Sequence, residues 1–461
     1  MVEWLSVSST TARRGLTVGL LTCVTAVAFE GMAVVTAMPA AAADLGDLEL
    51  YAWAFTAVMI AQLIAIVVAG RTTDVIGPVR PLLVGLVVFA LGVVVAALAP
   101  TMAVLLAGRF VQGLGGGAVN LALMVVTAIA YDPVERARLM TWYSACWILP
   151  SLVGPAVAAW LSETFSWHWV FWAVLPLVLV GVVLMAPGLA RLASRGRRHA
   201  EDAAAPVPTH AAVAVALGVA ALQVAGQNLG PASLVWLGVG VALCGVWFRR
   251  LMPVGFSPAA SGLPAVVTTR LLVSGTFFGA QSFLPLMLTG RGVPLAVAGL
   301  VITVGSMGWV GGSWLQARPW FRLSRNRIIV AGAACVAGGV ALLAGSGWLG
   351  GTDLVLPTLA SVLAGVGMGL QSSSTSLATM QLSAEAELGR NTGSLQVGET
   401  AGNALLAGAA GTIFAALSPV APDVVTFGWL MTALVVTAVG GVLAAGRIGH
   451  VENHLLAVAD S

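Results

Sequence analysis

"GLTVGLLTCVTAVAFEGMAVVTAMP" (residues 15–39) is almost wholly apolar apart from one carboxylate, Glu30. A helix needs about 20 such residues to cross the hydrocarbon core of a bilayer, so this stretch reads as a membrane span. A charge at that depth costs roughly 2.5–3.5 kcal/mol on insertion scales, so Glu30 needs a reason to be there. The rest of the chain is built the same way. Of its 461 residues 59% are hydrophobic and 8% are charged, with a mean hydropathy of +0.98. Soluble proteins carry about a quarter of their residues as charges, so this is an integral membrane protein. The first apolar segment is too long for a cleavable signal peptide, and no polar mature domain follows it.

Working outward on the same length criterion gives six spans: 15–39, 50–70, 81–99, 102–130, 138–161 and 168–187. A polar, basic loop follows, then two shorter segments, 211–227 and 232–248. Six more complete the chain: 267–288, 294–316, 327–346, 354–381, 391–417 and 425–446. The expected organisation is an N-terminal six-helix bundle (1–187), a cytoplasmic loop with two additional transmembrane helices (188–262), and a C-terminal six-helix bundle (263–461). Basic residues gather on the cytoplasmic side of short loops. With both termini inside, the arginines at 13, 14, 71, 80, 136, 138, 249, 250, 270, 390 and 447 and the clusters at 191–198 and 318–327 fall inside. Arg291 alone falls outside. Twelve spans is the alternative count, because the two central helices can be lost only together.

Composition also excludes several kinds of chemistry. Cys23, Cys146, Cys244 and Cys335 lie in four different apolar segments, so neither a disulfide nor a metal site is expected. The chain has no lysine and therefore no phosphate-binding Gly-x-x-x-x-Gly-Lys loop. A net charge of +3 gives no indication of nucleic acid. Two sets of six helices are a common transporter design, with the substrate held between them at mid-depth. The 55 glycines, many inside spans, suit close helix contacts.

Three stretches carry more specific information. "GRTTDVIGPVR" (70–80) joins the second and third spans, "GRFVQGLGGGAVN" (108–120) lies in the fourth, and "PSLVGPAVAAW" (150–160) in the fifth. Their order and placement resemble the major facilitator superfamily, specifically its fourteen-span drug/proton antiporters, over essentially the whole chain. In the first stretch Gly70, Asp74, Gly77 and Arg80 match the family's loop motif, while Val75, Pro78 and Val79 stand where basic residues are usual. The resemblance implies that Asp74 faces the start of the eleventh core helix, near Asn391, and helps close the cytoplasmic side. A solvated loop acid is the other reading. In the second, Arg109, Gln112 and Gly113 match Arg-x-x-Gln-Gly, and Arg109 and Gln112 share a helical face. In the third, Gly154 and Pro155 match an antiporter motif whose other glycines are replaced here by Pro150, Ala158 and Ala159. This is a gating element, or a plain packing helix. The later "SWHWVF" (166–171) is read as an aromatic anchor at the membrane interface, with His168 as a proton carrier the alternative.

Glu30, Ala37 and Pro39 fill the first-helix frame Asp-x-x-x-x-x-x-Ala-x-Pro of the fourteen-span members. With Pro39 taken as the outer end of the helix, Glu30 and Arg109 lie at one depth, about 14 Å down. The family fold makes their helices neighbours, so an ion pair is expected, in which each charge lowers the cost of the other. The pair is read as proton-coupling, or as purely structural. Glu399 is the other buried carboxylate, with no partner evident in the sequence. It is a second proton site, part of a substrate site, or a helix contact. Phe277, Phe278 and Gln281, together with Gln112 and Gln371, are candidate substrate-lining residues, being few polar groups among apolar walls. Helix-to-helix hydrogen bonds account for Gln371 equally well.

These readings imply an all-α membrane protein of major-facilitator type with fourteen spans. It is expected to be a monomer in the cell membrane with both termini cytoplasmic, not an enzyme, and to need no cofactor beyond a proton gradient. The implied function is proton-coupled export of hydrophobic or amphipathic small molecules. A symporter or facilitator of a nutrient or lipid-like metabolite, and a non-transporting sensor, are the alternatives.

Overall fold

The computed structural model describes residues 10–131, 133–194, 209–227, 231–253, 255–316, 318, 320–321, 323–383 and 388–451. Among them the chain is helical throughout. The helices are α1 (Thr10–Leu45), α2 (Trp53–Ile76), α3 (Val79–Ala97), α4 (Met102–Ala130), α5 (Pro133–Thr164), a short α6 (His168–Trp172) and α7 (Val174–Ser194). Then come α8 (Thr209–Gln227), α9 (Pro231–Leu251), α10 (Leu263–Gly290), α11 (Leu295–Gln316), α12 (Arg325–Leu349), α13 (Val355–Leu382), α14 (Leu388–Leu417) and α15 (Asp423–Ala445). The fourteen long helices coincide with the fourteen expected spans. Among the described residues, thirteen helical segments are long and apolar enough to cross a bilayer.

The boundaries differ in three instructive places. Pro39 does not end α1, which continues through it to Leu45. Proline removes one backbone donor, but the four alanines at 40–43 are the strongest helix formers and carry the helix on. Gly46 stops it, at φ +84°, a left-handed conformation that favours glycine. Similarly, α2 runs on through most of the 70–80 motif to Ile76, and Gly77 (φ +80°) makes the turn. The sixth span is split, α6 ending at Trp172 and α7 starting at Val174.

The chain divides into two compact units, Met1–Gly46 with Ala61–Thr209, and Asp47–Ile60 with His210–Ser461. The central helices α8 and α9 group with the second unit. Within each unit glycines let helix backbones touch. In the first, a Cβ on Gly92 or Gly115 of α3 and α4 would collide with the facing backbone at Gln112 or Phe89. In the second, Gly402 of α14 meets the Leu271 carbonyl of α10, and Gly367 of α13 meets Gly332 of α12. Without a hydrophobic force between helices in lipid, such close van der Waals packing is what holds a bundle together.

Candidate functional site

In the first unit, α4 begins at Met102 with Thr101 capping its N-terminus, the hydroxyl accepting from the Val104 N–H at 3.4 Å. That start places Arg109 in the third turn, facing Glu30 of α1. The guanidinium Nη1 donates to Glu30 Oε1, and also to Gln112 Oε1 at 2.8 Å. All three residues are sealed: Glu30 is 5% exposed, Arg109 4% and Gln112 0%. The expected pair therefore forms, and Gln112 belongs to it. Gly154 of α5 packs against the same turn of α1, where a Cβ would lie 3.5 Å from Met32 and 3.7 Å from the Phe29 ring. Pro150 and Pro155 both lie inside α5 on either side of that contact. The fifth-helix motif is thus built against the turn that carries Glu30.

The second unit holds another pair. Arg270 Nη2 of α10 donates to Glu399 Oε2 of α14 at 2.8 Å. Its Nη1 donates to the Ser372 carbonyl at 2.6 Å and to the Thr375 hydroxyl at 3.0 Å, both on α13. Sequence reasoning missed Arg270, counting it as a loop cation because the span was expected to open at Val267. α10 opens at Leu263, which buries Arg270 two turns inside. The signal was present: Gly262 followed by Pro264 is a helix start, and the helix carries proline at its first positions.

The candidate substrate residues fall into two groups. Gln371 is wholly buried, its Nε2 donating to Ser274 Oγ at 3.3 Å and approaching Met368 Sδ at 3.2 Å, so it ties α13 to α10. Phe277 and Phe278 sit edge-on to one another and to Trp309 of α11, with centroids 5.4, 5.5 and 6.2 Å apart. Gln281 has a buried Oε1 with no hydrogen-bond partner. The Asp74 side chain lies outside the described residues, so its contact with the start of α14 is not described. His168 stacks on Trp167 (3.6 Å, 25°) and bonds Ser166 Oγ at 2.7 Å, while the Trp167 indole donates to Asp44 at 2.9 Å.

Arg291, the single exception to the charge rule, has a local explanation. Its two terminal nitrogens donate to the Ser346 and Gly347 carbonyls at 3.0 Å, capping the last turn of α12. A cation at a helix C-terminus also meets the negative end of the helix dipole. Burial pulls this guanidinium below its usual value, and the Asp423 charge opposes that. An apolar groove of about 780 Å³ between α3 and α6–α7, with Leu83, Val87, Trp169 and Leu179 in its wall, shares no residue with either ion pair. Among the described residues no group of His, Cys, Asp and Glu could hold a metal.

A multi-pass helical membrane protein with buried, compensated charges in each of two bundles is built like a transporter, because intramembrane charges persist where they serve a pathway. The Major Facilitator Superfamily profile matches residues 20–407, and the chain belongs to that family of membrane transporters. It is similar to Multidrug transporter protein MdtP of Bacillus subtilis, 27% identical over 393 residues, covering 83% of this chain and 71% of that protein. Multidrug resistance protein 3 of the same organism is 32% identical over 173 residues, 37% of this chain and 34% of that one. An uncharacterized MFS-type transporter of Mycobacterium tuberculosis is 29% identical over 358 residues, and the chain spans half of its length. Among solved structures, the POT family transporter PepTSo superposes with a TM-score of 0.69 at 13% identity, covering 94% and 98% of the two chains. A D-xylose-proton symporter gives 0.63 at 14% identity, covering 95% and 98%. These last likenesses concern the fold.

Proposed function

We propose that this transporter is a proton-coupled antiporter that exports hydrophobic or amphipathic small molecules by alternating access. It works as a monomer in the cell membrane, with both termini cytoplasmic and the proton gradient as its energy source. The observation that carries this reading is the sealed Glu30–Arg109 pair. Glu30 can exchange a proton, and Gln112 keeps an acceptor on the guanidinium when the carboxylate is neutral. Burial of an unpaired charge is costly, so protonation and the state of the surrounding helices are coupled. The multidrug names of two relatives support the substrate class. Phe277, Phe278 and Gln281 supply the wall for an apolar ligand and Gln371, wholly buried, braces α13 against α10, while Gln112 contributes through the ion pair of the first unit. Gly154 and Pro155 give α5 a bendable contact with α1 as the transporter changes state. Asp74 acts at the cytoplasmic end as a closing contact.

Reconstitution in liposomes with an imposed pH gradient tests the proposal. The unaltered chain concentrates a lipophilic dye against its gradient and releases protons on binding it. Glu30→Gln, shaped like the protonated acid, still binds the dye but loses both uphill movement and proton release. Uphill transport surviving in Glu30→Gln would make Glu30 a structural residue and shift coupling to Glu399. For topology, a reporter fused after Gly230 reads external and one after Phe256 cytoplasmic.

A further inference from the structure

The Arg270–Glu399 pair has an asymmetry that a structural ion pair does not need. The Arg270 side chain is 9% exposed and Glu399 is 21% exposed, so the open edge of the pair is the carboxylate. Of the three acceptors on the guanidinium, two are neutral and belong to α13, the Ser372 carbonyl and the Thr375 hydroxyl. They hold the cation in place whether or not Glu399 is charged. Arg270 Nε has no acceptor at all, which leaves the guanidinium one bond short in a buried setting. The two helices approach closely here. Gly275 meets the Gly402 backbone, and a Cβ on Gly398 would lie 3.0 Å from the Val267 side chain, so α10 and α14 are closely packed.

No other described charge in the packed helices competes for the pair. α11 and α13 carry none, and α10 carries none besides Arg270. α15 offers Asp423, beside Gly290 and so about 30 Å along α10 from Arg270. α8 has His210 and α12 has Arg325 and Arg327, all in the opening turns of their helices. The 3₁₀ turn Leu48–Leu50 has Glu49, next to the far half of α14. The Arg390 side chain, nine residues before Glu399, lies outside the described residues.

We propose that Arg270 is the recognition point for a negatively charged group (carboxylate, sulfonate or phosphonate) on an amphipathic substrate. The anion takes the place of Glu399 on the guanidinium, and Glu399 takes up one proton. Before binding the site holds one cation and one anion; afterwards it holds the same cation, the ligand anion and a neutral acid. One proton and one negative charge enter together, so no unpaired charge is left in the membrane. The body of such a ligand would lie along the same side of α10, where Ser274 and Phe277 are buried and Gln281 is half-buried. Ser274, Phe277 and Gln281 follow Arg270 on one face of α10 at helical spacing, with Trp309 against Phe277. This inference rests on reading the chain as a transporter of amphipathic molecules, and names one class of them.

Two probes with nearly the same aromatic body test it: anilinonaphthalene sulfonate, charged at all working pH values, and uncharged phenylnaphthylamine. Binding to the purified full chain is followed by equilibrium dialysis, with proton exchange read by a pH dye in weak buffer. The sulfonate takes up one proton more per molecule than the neutral probe, and its affinity relative to that probe rises about tenfold per pH unit lowered while Glu399 is charged. Glu399→Gln keeps sulfonate binding but removes the extra proton and the pH slope. Arg270→Gln cuts sulfonate binding at least tenfold and leaves phenylnaphthylamine unchanged. If Arg270→Gln does not fold, the double variant with Glu399→Gln leaves no unpaired charge and gives the same readout. Equal proton counts for the two probes, or unchanged sulfonate binding without Arg270, overturns the proposal. Failure of the exporter reading looks different: phenylnaphthylamine is then not moved uphill by a pH gradient, while the sulfonate-specific proton persists.

Discussion

The two units each bury one arginine–glutamate pair, yet they bury it differently. In the first, the acid is on α1 and the cation on α4, and the side chains are 6% and 5% exposed. In the second, the cation is on α10 and the acid on α14, and the acid is 21% exposed. Arg109 shares one nitrogen between Glu30 and an amide that is itself fully buried. Arg270 is anchored by a carbonyl and a hydroxyl before its carboxylate is considered. Both partners of the first pair are closed off from their surroundings. The second keeps its cation ordered without its acid. Equal chemistry in the two bundles thus gives two differently exposed pairs, one closed on both sides and one with its carboxylate edge open.

The sharpest way to break this contrast is to remove one charge from each pair and compare thermal unfolding. Arg109→Gln leaves Glu30 buried without its cation and is expected to cost about 3–5 kcal/mol, most of it recovered when Glu30→Gln is added. A single Arg109→Gln that unfolds no earlier than Glu399→Gln would erase the difference between the pairs.

Packing provides the next test. Gly402→Ala forces a Cβ into the Leu271 carbonyl and should cost about 1–3 kcal/mol. Gly154→Ala, whose Cβ meets only ordinary contacts from 3.5 Å, should stay within about 0.5 kcal/mol. Equal losses would mean that the α5–α1 contact is as rigid as the α14–α10 contact, and would remove α5 as a bending element.

Smaller effects sharpen the picture. Glu399→Gln replaces the one charged acceptor of Arg270 with a neutral amide and should cost about 1 kcal/mol. Arg291→Ala, which uncaps α12, should cost about the same. Its loss should fall on the second unit alone, seen as faster hydrogen exchange in the last turn of α12 with the α4 amides unchanged. Exchange rising in both places would mean that the units do not respond independently.

Much of the fold was legible because membrane spans are read from local composition. Twenty apolar residues, a turn signal and a basic loop are all contiguous in sequence, so fourteen helices could be counted without any knowledge of packing. The ends were less legible. Pro39 and the segment 71–76 look like boundaries, but whether a helix tolerates them depends on the residues beyond them and on the helices packed alongside.

The candidate site divides along the same line. Glu30 and Arg109 announce themselves because a charge inside an apolar run is conspicuous and the motif supplies its mate. Arg270 did not, since an arginine near a span's end reads as a loop cation until the helix start is placed correctly. The residues alone determined that this is a membrane protein with buried acids, because hydrocarbon penalises charge wherever it occurs along the chain. Only the tertiary structure decided which cation meets Glu399. That pairing joins residues 270, 372, 375 and 399 from three helices, and it depends on glycine contacts that set how closely those helices approach.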